Sequence, residues 1–370
     1  MKVNYISIAE QHIKLKDELM DAVGRVLESG KFILGDETKK FENEFAKIIG
    51  TKYAVGVNSG TDALFLALKA LGIGNGDEVI TVSNSFLSTA TSIMHTGAIP
   101  VFVDVKKNYL MDEELIEKKI TSKTKAILPV HLTGKPCSMD KIMKISKKYG
   151  IHVVEDCAQA VLAKWRSKNV GSFGIGCFSL HPLKTLSACG DGGIITTDNE
   201  EIYNTLMQIR NIGLKNRNES DILGFNSRLD DIQAAILNVK LKYLDEWTKN
   251  KKETASYYRK KLREMKISQI NYIPYDEENE YSVYHTFILN LEDRDEIAVF
   301  LEKNGIETKI HYPIPIHRQK CFEHLKVKDE ELPNTIQQSK HIISLPSHTE
   351  IKNEEIDYVC GKIKEFYNGR

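Results

Sequence analysis

Two short segments carry side chains whose types and spacing are suited to chemistry. In residues 153–160 (VVEDCAQA), an apolar run ends in Asp156, and Gln159 follows three positions later. In residues 178–193 (FSLHPLKTLSACGDGG), Lys184 lies 184 − 156 = 28 positions after that aspartate. Each residue alone is ambiguous, because an aspartate at a strand end also caps helices and a single lysine is ordinarily a solvated amine. Together the acid, the amide and the amine point to one polar site.

A third segment, residues 56–68 (GVNSGTDALFLAL), favours phosphate binding. Ser59, Gly60 and Thr61 open a predicted helix directly after a predicted strand, so free N–H groups and hydroxyls point toward an incoming anion. The GDGG run at 190–193 allows tight turns and a close approach of backbone to a ligand. The sequence therefore predicts a phosphate-bearing ligand near the acid and the amine.

These segments are embedded in an alternation of short β-branched runs and longer amphipathic runs. The predicted strands are residues 53–57, 78–82, 99–105, 125–130 and 151–156, with helical patterns between them such as 62–71 and 139–150. Near-continuous apolar strands separated by helices predict a mainly parallel sheet that is covered on both faces. Ligands of such sheets bind at the carboxyl ends of the strands, so we expect the three segments to meet there.

The second half of the chain predicts a different architecture. Its elements are a long helical stretch without Gly or Pro, a strand and two further helices, at residues 228–266, 285–291, 296–305 and 353–367. Because 370 residues are many for one core, we expect two domains. They are a large α/β domain over residues 1–245 and a small C-terminal α+β domain over residues 246–370.

Composition excludes several classes of protein. Lys plus Arg and Asp plus Glu both total 51, and this balance argues against broad binding to nucleic acid or to a polyanionic membrane. The N-terminal residues lack the apolar region of a secretion signal, and no apolar run is long enough to span a bilayer, so a cytoplasmic location is expected. The six cysteines contain no CxxC pair, so reduced thiols are expected and no metal site is predicted.

Two nucleotide-binding classes are also disfavoured. A dinucleotide-binding dehydrogenase needs GxGxxG after its first strand, whereas the nearest match, GIGNG at 72–76, lies between a predicted helix and a predicted strand. The GxxxxGK[ST] motif of P-loop NTPases is absent from the sequence.

Together these features resemble the sugar aminotransferases of the DegT/DnrJ/StrS family. These are fold-type I enzymes that depend on pyridoxal 5'-phosphate (PLP), with the aspartate-aminotransferase-like α/β fold. The resemblance covers nearly the whole chain, and motifs in the family's order lie at residues 29–50, 129–142, 210–216, 224–237 and 311–317. It implies PLP as cofactor, pyridoxamine phosphate as its intermediate form, and a homodimer with shared active sites.

The resemblance assigns the chemistry to Lys184 and Asp156. Lys184 occupies the position of the lysine that bonds covalently to the cofactor and then acts as general base. Asp156 matches the carboxylate that keeps the pyridine nitrogen protonated, so that the ring can take up carbanion density. The other implied cofactor contacts are to the phosphate (Gly60, Thr61 and Ser179), to the ring face (Phe86), to the ring hydroxyl side (Gln159) and, from the other subunit, to the phosphate (Asn226).

The same resemblance implies contacts with the substrate. His311 and Tyr312 match residues that meet the pyrophosphate of a sugar nucleotide, and such donors suit that task. Phe32 and His181 are expected to line the substrate pocket, with plain packing as the alternative. Arg228 either belongs to the site or has a structural role, as a cap at a helix entry or as an ion-pair partner.

The predicted reaction is transamination of a keto-sugar. Some relatives replace the cofactor-bonding lysine by histidine and become dehydratases, whereas this chain has Lys184. The implied amino donor is L-glutamate, and the implied acceptor is a keto-sugar carried by a nucleotide. A regulatory protein that keeps only the fold would be expected to have lost the lysine. Another PLP reaction, such as decarboxylation, would not explain residues 224–237 and 311–317.

Residues around the lysine bear on which sugar carbon receives the amino group. HPLK followed by GDGG at 190–193, with Leu180 after Ser179, resembles members that act at C3 of dTDP-3-keto-6-deoxyhexoses. The implied product is a precursor of the amino sugars of surface polysaccharides such as lipopolysaccharide. Thr185 and residues 187–189 depart from that pattern. Action at C4 of a 4-keto-6-deoxyhexose nucleotide therefore stays open as the alternative.

Overall fold

The computed structural model describes residues 1–369. The strands are β1 (Tyr53–Val57), β2 (Glu78–Val82), β3 (Ile99–Val103), β4 (Thr124–Ile127), β5 (His152–Asp156), β6 (Lys164–Trp165), β7 (Lys168–Asn169), β8 (Ile175–Ser179), β9 (Gly193–Thr197), β10 (Ile270–Tyr272), β11 (Glu280–Tyr281), β12 (Phe287–Leu291) and β13 (Ile342–Leu345). The α-helices are α1 (Ile8–Lys14), α2 (Lys16–Ser29), α3 (Asp36–Ile49), α4 (Gly60–Ala70), α5 (Ser88–Thr96), α6 (Ile116–Lys119), α7 (Met139–Tyr149), α8 (Glu200–Ile209), α9 (Asp231–Lys240), α10 (Leu244–Met265), α11 (Arg294–Lys303), α12 (Pro333–His341) and α13 (Asn353–Asn368).

A seven-stranded sheet in the order β1-β9-β8-β5-β4-β2-β3 forms the centre of the fold. The pairs β2–β3, β2–β4, β4–β5 and β5–β8 are parallel, whereas β9 runs antiparallel to both of its neighbours, β1 and β8. The predicted mainly parallel α/β sheet is thereby confirmed. The inserted β9 was not expected, because its few apolar residues follow a glycine-rich loop and have no helical segment before them.

Burial on both faces explains why these strands are nearly continuously apolar. Every residue of β8 and β9 is buried, and Val55, Ile80 and Val154 are fully inaccessible to solvent. Such strands exclude water from both sides of the sheet, which is the pattern of parallel sheets covered by helices. The predicted bounds of β1 and β2 agree with the structure, whereas the predicted strand 99–105 ends at Val103.

The C-terminal part has a three-stranded antiparallel sheet, β10-β12-β13. It shares an apolar core with α10, α11 and α13, which includes Tyr258, Phe287 and Ile363. The helical stretch predicted at 228–266 is interrupted by a 3-10 turn at Leu241–Tyr243 that separates α9 from α10. The predicted domain boundary at residues 245 and 246 falls in the first turn of α10 and stays a prediction.

Within residues 1–369, none of the helices has a stretch that is both long and apolar enough to cross a membrane.

Candidate active site

A cavity of about 380 Å³ lies at the carboxyl ends of the parallel strands. β1, β2, β5 and β8 all deliver residues to it, as expected for a doubly covered sheet. Ten of the residues predicted for the site line this one cavity: Gly60, Thr61, Phe86, Asp156, Gln159, Ser179, His181, Lys184, His311 and Tyr312. Residues from four separate segments and from the C-terminal part are therefore brought together.

Asp156, the last residue of β5, supplies a buried carboxylate. Thr89 Oγ1 donates to its Oδ2 at 2.8 Å, and the backbone N–H of Ala158 donates to its Oδ1 at 3.2 Å. Burial raises the pKa of Asp156, and the Thr89 hydrogen bond opposes that rise. Both donors are neutral, so a protonated nitrogen placed beside this carboxylate would gain a strong charge-assisted hydrogen bond.

Lys184 lies in the loop that follows β8, and its N–H donates to the carbonyl of His181 at 2.8 Å. Burial lowers the pKa of the Lys184 amine, while the charge of Asp156 raises it. The lowered pKa increases the fraction of neutral amine near pH 7. A neutral amine is the form that attacks a carbonyl carbon and that accepts a proton.

The start of α4 forms a cradle for an anion. The Ser59 side chain caps the helix by accepting from the N–H of Asp62 at 3.1 Å. The N–H groups of Gly60 and Thr61, in the first turn, have no acceptor within the helix and can donate to a ligand. Thr61 Oγ1 lies 2.7 Å from Ser88 Oγ. A Cβ on residue 60 would lie 2.6 Å from Ser179 Cβ. Glycine is therefore required for α4 to start this close to the end of β8.

Gln159 and Tyr312 connect the sheet to the C-terminal part. Gln159 Oε1 accepts from the N–H of Thr133 at 2.7 Å, and its Nε2 donates to the Tyr312 hydroxyl at 3.3 Å. The ring of Phe86 lies 5.8 Å from that of Tyr312 and is tilted by 42°. Phe86 is 56% exposed, so its ring face is available for stacking against a planar group in the cavity.

His311 is held as a neutral imidazole. Its Nδ1 lies 2.8 Å from Ser344 Oγ, and burial lowers its pKa to about 4, with a further contribution from the charge of Lys184. Neutral His311 offers a hydrogen bond to a ligand rather than a positive charge.

Three predicted residues lie outside the lining of this cavity. Phe32 is 44% exposed and accepts a backbone hydrogen bond from Asp231. Asn226 is exposed and pairs with Asn211 through a single bridge. Arg228 Nη1 donates to Asn211 Oδ1 at 3.0 Å, which is a hydrogen bond to an uncharged amide and not an ion pair. Their roles in a site stay predictions.

The sequence interpretation missed several lining residues. Thr89 and Ser85 lie in the hydroxyl-rich run that contains Phe86, and this run was a usable signal. His285 gave no such signal, because it directly precedes the β12 region and looks like part of a strand. Thr133 does not line the cavity but donates its backbone N–H to Gln159, which no side-chain pattern can indicate.

A buried cluster of His131, Glu155 and Cys157 lies beside Asp156. The Glu155 carboxylate accepts from the backbone N–H groups of residues 171, 173 and 174, each at 2.9 Å. His131 Nε2 lies 3.2 Å from the same carboxylate. Because N–H donors already surround Glu155, we interpret the cluster as a hydrogen-bond network that supports the end of β5, not as a metal site.

The residues of the cavity fit the PLP that the sequence resemblance implies. The α4 cradle and Ser179 suit a phosphate, the buried Asp156 carboxylate suits a protonated pyridine nitrogen, and Lys184 suits an aldehyde. The cradle is narrow because a Cβ at Gly60 would collide with Ser179.

Comparison with protein families gives a match over residues 14–364 to the DegT/DnrJ/EryC1/StrS aminotransferase family. Three curated relatives match along nearly their whole length. The pleiotropic regulatory protein of Geobacillus stearothermophilus is 41% identical, with 99% of both chains covered. The UDP-N-acetyl-3-dehydro-α-D-glucosamine 3-aminotransferase of Acidithiobacillus ferrooxidans is 40% identical, covering 96% of this chain and 95% of the relative. The dTDP-3-amino-3,6-dideoxy-α-D-galactopyranose transaminase of Aneurinibacillus thermoaerophilus is 40% identical, covering 98% and 99%.

Two solved structures superpose closely on this chain. The S. venezuelae protein DesV, in complex with a ketimine intermediate, superposes with a TM-score of 0.96 at 36% identity, covering 99% of this chain and 98% of that one. NtdA of Bacillus subtilis, with bound cofactor PMP, gives a TM-score of 0.92 at 31% identity, covering 99% and 85%.

Proposed function

Because the chain belongs to the DegT/DnrJ/EryC1/StrS aminotransferase family, we propose that it transfers an amino group from L-glutamate to C3 of a dTDP-linked 3-keto-6-deoxyhexose, with PLP as cofactor. The observation that carries the proposal is that Lys184 and Asp156 line one cavity, together with a phosphate cradle at the start of α4. The product would be a precursor of a surface-polysaccharide amino sugar.

Each residue has a definite task in this reaction. When bound, PLP supplies an electron sink that lets the amino-bearing carbon lose its proton. Lys184 Nζ takes that proton in the first half-reaction and returns one to the sugar carbon in the second. Asp156 would hold a proton on the pyridine nitrogen of bound PLP, since its buried carboxylate has only neutral donors of its own. Gln159 and Phe86 would orient the ring.

Two relatives of equal identity support action at C3. One is named as a dTDP-3-amino-3,6-dideoxygalactose transaminase and the other as a 3-aminotransferase of a UDP-linked N-acetylated sugar. The GDGG run at 190–193 and Leu180 after Ser179 favour the same carbon over C4. A UDP-linked 3-keto sugar is therefore the second candidate acceptor, and it keeps the same carbon.

Catalysis rather than regulation is favoured although one relative is named a regulatory protein. A purely regulatory chain has no need for an amine with a lowered pKa beside a buried carboxylate. Lys184 and Asp156 retain both features.

The surface around Asn226 supports a homodimer. Asn226 is exposed in the single chain, and exposed apolar side chains lie close to it in sequence, including Leu223 (97% exposed) and Phe225. Clustered exposed apolar residues mark interaction surfaces. We propose that a second copy covers this surface and that its Asn226 reaches the phosphate end of the neighbouring cavity.

An absorption experiment tests the reaction. The purified protein is loaded with PLP, and L-glutamate is added without sugar. We expect loss of the visible band of lysine-bound cofactor and growth of the pyridoxamine phosphate band. Lys184→Ala should show neither change, whereas Lys39→Ala, on the exposed side of α3, should behave like the wild type. A wild-type protein that binds no PLP would refute the proposal.

The acceptor is then identified by adding sugars to the pyridoxamine form. We expect the dTDP-3-keto-6-deoxyhexose to restore the original band, and the UDP-linked 3-keto sugar is the alternative. Restoration by 4-keto sugars alone would contradict the assignment to C3.

A further inference from the structure

A second, smaller pocket adjoins the active-site cavity. Its volume is about 100 Å³, and it shares Leu183, Lys184, His285 and His311 with the larger cavity. We call it the side pocket. Residues of the N-terminal segment 5–8 and the loop 347–349 complete its wall. Lys184 therefore borders two spaces, and the reaction described above uses only the larger one.

The side pocket is bordered by polar groups that lack a partner. Thr185 Oγ1, Thr286 Oγ1, Ser347 Oγ and His348 Nδ1 are buried, and none has a hydrogen-bond partner within the described chain. Buried polar atoms are normally paired, because leaving them unpaired is unfavourable. Four such atoms around one small pocket indicate a polar ligand or ordered water between them.

Lys251 of α10 adds a cation to the same pocket. It is only 7% exposed, and its Nζ donates to the carbonyls of His285, at 2.8 Å, and Ser347. An ammonium group carries three hydrogens, so one remains for a ligand. Burial lowers the pKa of Lys251 to about 7, and an anion beside the amine would favour its charged form.

The charges and the size of the side pocket select its ligand. None of the described residues that line it is acidic, and Lys251 supplies a cation at its border. An anion is therefore favoured over a cation or a neutral group. About 100 Å³ accommodates a carboxylate and its adjoining methylene groups, but not a nucleoside diphosphate.

We propose that the side pocket binds a carboxylate of the amino-acid donor, with Lys251 as the cation and the hydroxyls of Thr286 and Ser347 as hydrogen-bond donors. The inference rests on the proposed function, since it names the subsite by which that enzyme holds its donor. The proposed acceptor, a 3-keto-6-deoxyhexose, carries no carboxylate, so the subsite serves one half-reaction and leaves the other to the larger cavity.

The sharpest variant is Thr286→Val, which keeps the side-chain shape and removes a hydroxyl that has no hydrogen-bond partner among residues 1–369. A structural role therefore predicts no loss, whereas a binding role predicts weaker donor binding. Lys251→Met removes the cation at similar length. Lys252→Met is the matched control, because the neighbouring Lys252 faces Tyr281 and Asp276 instead.

Equilibrium binding to the PLP-loaded protein is measured by calorimetry with two probes, glutarate and dTDP. Glutarate has the carboxylates of the donor but no amino group and cannot react. We expect its Kd to rise about threefold to tenfold in Thr286→Val and at least about tenfold in Lys251→Met. The dTDP Kd should stay unchanged in both variants. Lys252→Met should bind both probes like the wild type, and the KM for L-glutamate should follow the glutarate Kd.

An unchanged glutarate Kd in Thr286→Val would overturn the inference, even if Lys251→Met failed to fold. Weaker binding of dTDP instead of glutarate would also overturn it, because the pocket would then take a phosphate. Failure of the proposed function has a different signature. In that case the wild type would bind glutarate through the side pocket, yet L-glutamate would leave its spectrum unchanged.

Discussion

Burial sets the charge of the residues around Lys184. The pKa values of His285, His311 and Lys184 are lowered, and that of Tyr312 is raised, with burial as the largest cause in each case. Each shift favours the neutral form of the group. These groups therefore offer hydrogen bonds rather than charges to a ligand in the cavity.

The neutral state of His311 can be tested through the stability of the protein at acidic pH. The pKa of His311 falls from 6.5 to about 4 on folding. Between these pH values the imidazole is protonated in the unfolded chain but neutral in the folded chain. The stability that neutral His311 contributes is present above pH 6.5 and is lost as the pH falls toward 4. The loss is about 2 kcal/mol at about pH 5.

The prediction is that His311→Gln weakens the pH dependence of unfolding. Urea unfolding gives the free energy of unfolding at about pH 7.5 and about pH 5. The difference between these two values should be smaller in the variant than in the wild type by about 2 kcal/mol. His324→Gln, at an exposed position, should retain the wild-type difference. Equal differences in His311→Gln and wild type would show that the imidazole is not held neutral.

At the scale of elements, the junctions after parallel strands build the site. β1 leads into α4 through Ser59, β5 ends in Asp156, and β8 leads into the Lys184 loop. Parallel alignment brings these carboxyl ends to one edge of the sheet, although they are far apart along the chain. Gly193, the first residue of the antiparallel β9, lies close to Ser59: a Cβ added at this glycine would be 2.2 Å from the Ser59 carbonyl oxygen. β9 therefore packs tightly against the base of the α4 cradle.

Gly60→Ala tests the cradle. The added Cβ would lie 2.6 Å from Ser179 Cβ and 2.9 Å from Ser179 Cα, so the start of α4 must move away from β8. We expect the affinity for PLP to fall at least about tenfold, equivalent to about 1.4 kcal/mol, with the circular dichroism spectrum unchanged. Spectral titration of the cofactor-free protein with PLP measures the affinity.

A glycine substitution elsewhere serves as the control. Gly361 lies in α13, where a Cβ meets nothing within 4 Å. Gly361→Ala should leave PLP affinity unchanged and stabilise the helix by up to about 1 kcal/mol. Equal PLP affinity in Gly60→Ala and Gly361→Ala would rule out a tight phosphate cradle at α4.

At the scale of the whole molecule, Asn226 is a predicted cofactor-binding residue that does not line the cavity of its own chain. Asn226 is exposed, and exposed apolar side chains including Ile212, Leu223 and Phe225 accompany it in the surrounding loops. A two-fold symmetric dimer would bury this surface twice and bring each Asn226 toward the other subunit. The proposal thus predicts that each site takes residues from both chains.

Mixing inactive variants tests this sharing. Lys184→Ala and Asn226→Ala each impair both sites of their own homodimers. A mixed dimer has one site with both defects and one with neither, if Asn226 acts across the interface. Unfolding and refolding the two variants together at equal amounts should restore about a quarter of wild-type activity. No recovery from mixed dimers, verified by differently tagged chains, would place Asn226 within its own subunit's site.

The sequence by itself determined the local features of this protein. The bounds of β1 and β2, the strand that ends in Asp156 and the segment that carries Lys184 follow from apolar runs and motifs read over a few residues. Such patterns depend on neighbours along the chain, which is why they were readable without a structure. The mainly parallel sheet followed from the same patterns, whereas most of the ten predicted residues that line the cavity were named from the family resemblance.

Only the tertiary structure decided which distant groups surround these residues. Thr89 reaches Asp156 across 67 positions, and Lys251 comes within hydrogen-bonding distance of the His285 carbonyl across 34. Likewise, β9 lies between β1 and β8 although about 135 residues separate it from β1. Such contacts arise from the packing of whole elements around shared cores. A threonine or a lysine in a helix carries no local sign of the cavity that it will face.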